Sequence, residues 1–174
     1  MLKHGPSFSI QLIFHPTPDF RKWVLMAHNG RKSLYPTKVN KLIKYLAVYA
    51  SFLITFLVMD FIWLLGIAKN LYRTEMGALM AAEPRLWVAL AFYLLYALGT
   101  TIFVISPAIA KQSFLYALGF GALFGFFCYM TYDLTNLAVI EGFPARLAVI
   151  DIVWGTFVTA VSASVAYAVG SRIA

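Results

Sequence analysis

Charge is what this chain has least of. Only 12% of its 174 residues are Asp, Glu, Lys or Arg, while 61% are hydrophobic and the mean hydropathy is +0.78. An ordinary soluble domain is roughly a quarter charged, and a soluble fold of this length needs more polar surface than the stretch after Leu42 supplies. Cysteine is nearly missing as well. Cys128 stands alone inside an apolar run, which excludes a disulfide framework and a Cys-based zinc site. Histidine stops at position 28 (His4, His15, His28), so neither a His-based triad nor a zinc-protease helix is available to the rest of the chain. There is no Gly-rich phosphate loop and no Ser in an elbow context. These absences exclude soluble-enzyme chemistry and leave lipid as the main solvent.

The charge that is present is unevenly placed. Eight of the fourteen Lys and Arg residues fall at or before Lys44. Residues 1–40 also hold four of the seven prolines and no sustained apolar run, so they read as a basic, disordered tail. They lack the ordered regions of a signal peptide and are too broken for a helix. Basic residues beside a first membrane helix mark the cytoplasmic side and meet anionic headgroups, whereas nucleic-acid binding would need a folded basic face that is not found here.

Four apolar runs follow, at about 43–68, 86–105, 113–134 and 147–170. About 20 helical residues at ~1.5 Å rise cross a hydrocarbon layer of ~30 Å, so each run is long enough to span. The expected fold is therefore all-α, an integral membrane four-helix bundle over residues 41–174 behind a basic N-terminal tail. The short link Ser106 to Gln112 forces the second and third helices into an antiparallel hairpin. Between the first two runs, Tyr72, Met76, Leu79 and Met80 share one helical stripe, which predicts a short interfacial helix or an extension of the first span. Gly142-Phe143-Pro144 marks the turn before the fourth. With the N-terminus inside, Lys and Arg number ten on the cytoplasmic side against four outside, so both termini are expected in the cytoplasm of an inner-membrane protein. Small residues suggest which helices touch. Gly121 and Gly125 on the third, and Thr156, Ala160, Ser164 and Ala168 on the fourth, permit close backbone approach.

Three acids, Asp60, Asp133 and Asp151, lie in or at the edge of the runs. An Asp near the centre of a membrane helix costs roughly 2.5 to 3.5 kcal/mol, so such acids default to a functional reading. Asp60 is near the far end of the first span, Asp133 at the end of the third and Asp151 near the start of the fourth, which puts all three towards one membrane face. Two sit in matching patterns, Asp60-Phe-Ile-Trp63 and Asp151-Ile-Val-Trp154, where a spacing of three places Asp and Trp on one helix face. Tyr129, Asp133 and Asn136 form a further face, Tyr132 lies beside them, and Arg73 and Arg146 are the expected counter-charges. The plainer alternative makes each Trp an interfacial anchor and each Asp a helix cap or ion-pair partner. Acids from three separate helices without a tight motif do not make a metal centre, and no cofactor is implied. Clustered acids suit a shared proton or a bound cation.

The stretches Met59-Asp-Phe-Ile-Trp-Leu64 with Ala68-Lys-Asn-Leu-Tyr-Arg73, Tyr132-Asp-Leu-Thr-Asn-Leu-Ala138, and Ile150-Asp-Ile-Val-Trp-Gly155 resemble a family of predicted bacterial membrane proteins. It is catalogued as domain of unknown function 2177. The resemblance runs from Tyr45 to Gly170, and residues 1–40 look like an addition to it. It implies a compact multi-pass protein of the cytoplasmic membrane, with no established activity.

The reading that follows is a bundle with a carboxylate-lined pocket, open towards the external face, that binds or passes a small solute, cation or proton. Two alternatives stand beside it. One is a membrane-embedded enzyme acting on a lipid or lipid-linked substrate. The other is an accessory subunit whose acids pair with a partner membrane protein.

Overall fold

A computed structural model describes residues 38–81 and 83–173. The expected tail over residues 1–40 lies almost wholly outside the described residues. Helix α1 (Lys38–Ile62) continues through a wide π turn at Trp63–Ile67, and the short helix α2 (Lys69–Met76) follows. Helix α3 (Leu86–Thr100) joins α4 (Ser106–Ala110) through a second π turn, Thr101–Ile105. Helices α5 (Phe114–Val139) and α6 (Ala145–Arg172) complete the chain, and no strand occurs among the described residues. The four membrane spans are Asn40–Ile67, Leu86–Ala110, Phe114–Val139 and Ala145–Arg172.

The second span runs past the Ser106-Pro107 stop expected from sequence. Proline removes an amide donor and crowds the preceding turn. Here the ladder widens instead of ending, with both the backbone N–H and the Oγ of Ser106 donating to the Thr101 carbonyl, the latter at 2.7 Å. The third span outlasts its expected end at Leu134, because Thr135 and Asn136 do not interrupt it. It stops where Ile140 turns extended and Gly142 takes φ 78°, a conformation other residues resist. The interfacial stripe is mostly helical but not one continuous α-helix. Tyr72 and Met76 lie on α2, which ends at Gly77 (φ 48°); Leu79 lies on a short 3-10 turn, Gly77–Leu79, and Met80 is extended.

Lipid is as apolar as leucine, so packing within the bundle depends on close contact rather than on escape from water. The fourth span supplies that contact to two neighbours. Its small residues Gly155, Thr159, Ala160 and Ala163 lie against Gly121 and Gly125 of α5, where a Cβ added to Gly121 would stand 3.0 Å from the Ala163 Cβ. The expected pairing of these helices is therefore present, on a stripe offset from Thr156, Ser164 and Ala168. On its other flank, α6 receives the buried row Val48, Phe52 and Phe56 of α1. Large apolar side chains such as Leu65, Trp87, Leu115 and Val149 point outward to lipid.

Candidate functional site

Register carries the acids inward. Asp60 follows Val48, Phe52 and Phe56 at intervals of four, so it ends the buried row of α1 and is itself only 8% exposed. Asp151 precedes Gly155 and Thr159 by one and two turns on the packed face of α6. Asp133 follows Gly121, Gly125 and Tyr129 at the same interval on α5, which sets it in the α5–α6 seam at 1% exposure. At ~1.5 Å per residue, each acid lies about 10 Å inside the same end of the bundle.

Neutral donors hold two of the acids. The Tyr93 hydroxyl donates to Oδ2 of Asp60 at 2.5 Å, and the Trp154 indole N–H donates to its Oδ1 at 3.1 Å. Tyr72 on α2 donates to Oδ1 of Asp151 at 2.5 Å. Burial, and then the charge of Asp151, raise Tyr72 above the ordinary phenol range, so it remains a donor at every physiological pH. Asp133 has no such donor: its Oδ2 is buried without a hydrogen-bond partner. The Trp154 ring stacks on Trp63 with centroids 4.4 Å apart, beside Asp60.

Asp60 and Asp151 line one cavity of about 450 Å³. Its walls are mostly aromatic, formed by Tyr72, Phe92, Tyr96, Tyr129 and Tyr132, with Leu64 and Cys128 filling the gaps and no Lys or Arg among the lining residues. Its floor is a hydrogen bond of 2.8 Å between the hydroxyls of Tyr96 and Thr159, beside the Tyr96–Tyr129 ring contact. Among the described residues, no group of three His, Cys, Asp or Glu side chains is arranged to hold a metal ion. A carboxylate pair within mostly aromatic walls suits a cation that is not a tightly coordinated metal.

A family model described as "Predicted membrane protein (DUF2177)" matches residues 45–168. The chain belongs to the DUF2177 family. No curated protein and no solved structure matches it. The matched stretch contains every residue of the cavity, so the site lies within the part of this chain that defines a DUF2177 protein.

Of the residues singled out by sequence in this DUF2177 chain, Asp60, Tyr129, Tyr132 and Asp151 line the cavity, while Trp63 and Trp154 stand behind Asp60. Asp133 lies in the helix seam outside the lining, and Asn136 follows it one turn later on α5. The expected counter-charges sit elsewhere. Arg73 is exposed on α2, and Arg146 pairs with Glu75 at 3.2 Å. Two carboxylates face tyrosine and tryptophan where an ion pair was expected, because both arginines lie at helix ends where their charge stays solvated. Sequence reasoning missed Tyr72, Tyr93 and Tyr96. The signal was there: Tyr93 and Tyr96 are the phenols of an otherwise apolar span, and a phenol in lipid needs a partner.

Proposed function

We propose that this DUF2177 protein binds a small organic cation in the cavity between its four spans, as a carrier or receptor of that solute in the inner membrane. One observation supports the reading above the others: two carboxylates from different spans face a mostly aromatic chamber whose lining holds no basic side chain. An ammonium group gains from both features, since a desolvated cation over an aromatic face is worth about 2 kcal/mol and pairs with a carboxylate as well. Asp133 belongs to the proposed site as a neighbouring acid behind Asp151, and Trp63 and Asn136 complete it. Both termini lie in the cytoplasm in this reading, and the chamber opens towards the external side.

The test uses the purified chain in lipid nanodiscs, titrated with tetramethylammonium and followed by the fluorescence of the Trp63–Trp154 pair beside the chamber. A saturable change is expected. In the Asp60→Asn, Asp151→Asn double variant the affinity should fall at least tenfold, because loss of one partner of a desolvated charge pair costs about 2 kcal/mol or more. Equal binding by both proteins ends the proposal.

A second reading, an enzyme acting on a lipid, draws on the opening of the chamber towards the bilayer described below. It predicts a chemically altered species when the chain is incubated with a bacterial lipid extract, with loss of that product in Asp60→Asn.

A further inference from the structure

The chamber is not sealed from lipid. Its walls come from α3 on one side and α5 on the other, and these two helices hardly approach one another over the outer half of the second span. They close up where the Thr101–Ile105 turn packs against α5 and where the Tyr96 ring meets Phe124 at 5.7 Å and Tyr129 at 6.4 Å. Phe92 and Tyr132, on opposite sides of the gap, remain 44% and 58% exposed. The gap faces the hydrocarbon, since the neighbouring exposed positions of α3 and α5 are Leu95, Phe127 and Leu134.

A second cavity, of about 520 Å³, continues from the first. It is bounded by Phe120, Leu123, Phe124, Phe127, Cys128 and Thr131 of α5, at helical intervals of three and four, which is a single stripe. Cys128 lines both cavities, so the stripe begins at the chamber wall. From Cys128, near the middle of the span, to Phe120 it runs roughly 12 Å across the midplane towards the opposite face. Apart from the Thr131 hydroxyl, already donated to the Phe127 carbonyl at 2.7 Å, its side chains offer no strong polar group. The two spaces differ in chemistry as the two ends of an amphiphile do: an anionic, aromatic chamber near the membrane surface, and an apolar trough descending from it.

Building on the cation reading, we infer that the ligand is a single-chain cationic amphiphile that enters sideways from the bilayer. Its ammonium head lies between Asp60 and Asp151, and its hydrocarbon chain lies along the Phe120–Cys128 stripe of α5. Charge decides the head group. An anionic phosphate or carboxylate head would meet two carboxylates with no cation in the lining, whereas an ammonium meets carboxylates within aromatic walls. The trough follows one helix, and one chain fits it.

The probe is dodecyltrimethylammonium carrying a diazirine at the end of its chain, photolysed with the full-length protein in phosphatidylcholine nanodiscs and mapped by peptide mass spectrometry. Label should concentrate between Phe120 and Thr131, at least tenfold above the lipid-facing Leu115 and Val149, and excess tetramethylammonium should displace it. In Leu123→Trp the trough is filled at a side chain 48% exposed, so folding is undisturbed. This variant should bind dodecyltrimethylammonium at least fivefold more weakly and tetramethylammonium as before. If tetramethylammonium binds but label spreads evenly over all lipid-facing positions, the amphiphile inference is overturned while the cation reading stands. If tetramethylammonium does not bind at all, both fall.

Discussion

The indole N–H of Trp154 donates to Oδ1 of Asp60 at 3.1 Å and so ties the fourth span to the first at the level of the cavity. A hydrogen bond to a charged group contributes about 1.5 to 3 kcal/mol, and a buried acceptor left without its donor costs a similar amount. Trp154→Phe keeps the stack on Trp63 and removes only the donor. It should lower stability by about 2 kcal/mol in reversible unfolding with sodium dodecyl sulfate in mixed micelles. In the Asp60→Asn background the same change should cost clearly less, and equal costs in both backgrounds would show that the bond contributes nothing.

The α5–α6 seam gives a sharper contrast. A Cβ at Gly155 would overlap the Tyr129 ring, and one at Gly125 would stand 2.7 Å from the Thr159 Cβ, whereas at Gly119 nothing lies within 4 Å. Gly155→Ala and Gly125→Ala should each destabilise by about 1 to 3 kcal/mol through overpacking. Gly119→Ala should be neutral or stabilising by up to about 1 kcal/mol, since alanine is the better helix former. Unfolding titrations of the three variants side by side decide the point.

Tyr72 predicts a pH dependence with a definite sign. Its folded pKa is raised above the ordinary value of 10.0, by burial first and by Asp151 second. A raised phenol contributes stability that is fully present below the unfolded pKa, because both states are then neutral, and that is lost as pH climbs towards the folded value. The stability difference between the wild-type chain and Tyr72→Phe should therefore be flat from pH 7 to about 9.5 and shrink from about 10 upward. A difference that already shrinks between pH 7 and 9 would contradict the buried, Asp-facing position of this hydroxyl.

Arg146 and Glu75 pin α2 to the start of α6, but the arginine side chain is 73% exposed. Such a pair contributes at most about 1 kcal/mol and weakens with salt. Arg146→Ala should leave global stability nearly unchanged while speeding amide exchange in α2, and the difference from wild type should fade at high salt.

Cys128 is the chain's single cysteine and lines both cavities, which makes it a natural reporter. Alkylation by N-ethylmaleimide in nanodiscs should slow several-fold when dodecyltrimethylammonium is present. An unchanged rate would place the amphiphile elsewhere.

The four spans were legible because crossing a bilayer takes a long apolar run and nothing subtler. Asp60 and Asp151 were legible for a related reason: an acid in such a run must turn inward, and the interval of four from Phe52 and Phe56 shows how Asp60 does so. Arg146 was misleading as a counter-charge, since its partner Glu75 lies 71 residues away on a segment whose path depends on Gly77 and the loop beyond it. Tyr72 and Tyr93 escaped notice because a hydroxyl's partner is chosen by helices meeting in space, which no spacing along one helix reveals. Asp133 could have been placed: Gly121, Gly125 and Tyr129 precede it at intervals of four, and that alignment assigns it to the helix seam.

The wide turn at Thr101–Ile105 also sets a phase. One additional residue in a helical ladder rotates everything beyond it by about 100°. The half of the second span that carries Tyr93 and Tyr96 is turned by that angle relative to a regular continuation of α4. Removing a single residue there would leave a rod still long enough to cross the bilayer, but its two phenols would swing towards the acyl chains and Asp60 would lose Tyr93. An irregularity of one residue thus determines whether the second span contributes to the polar interior.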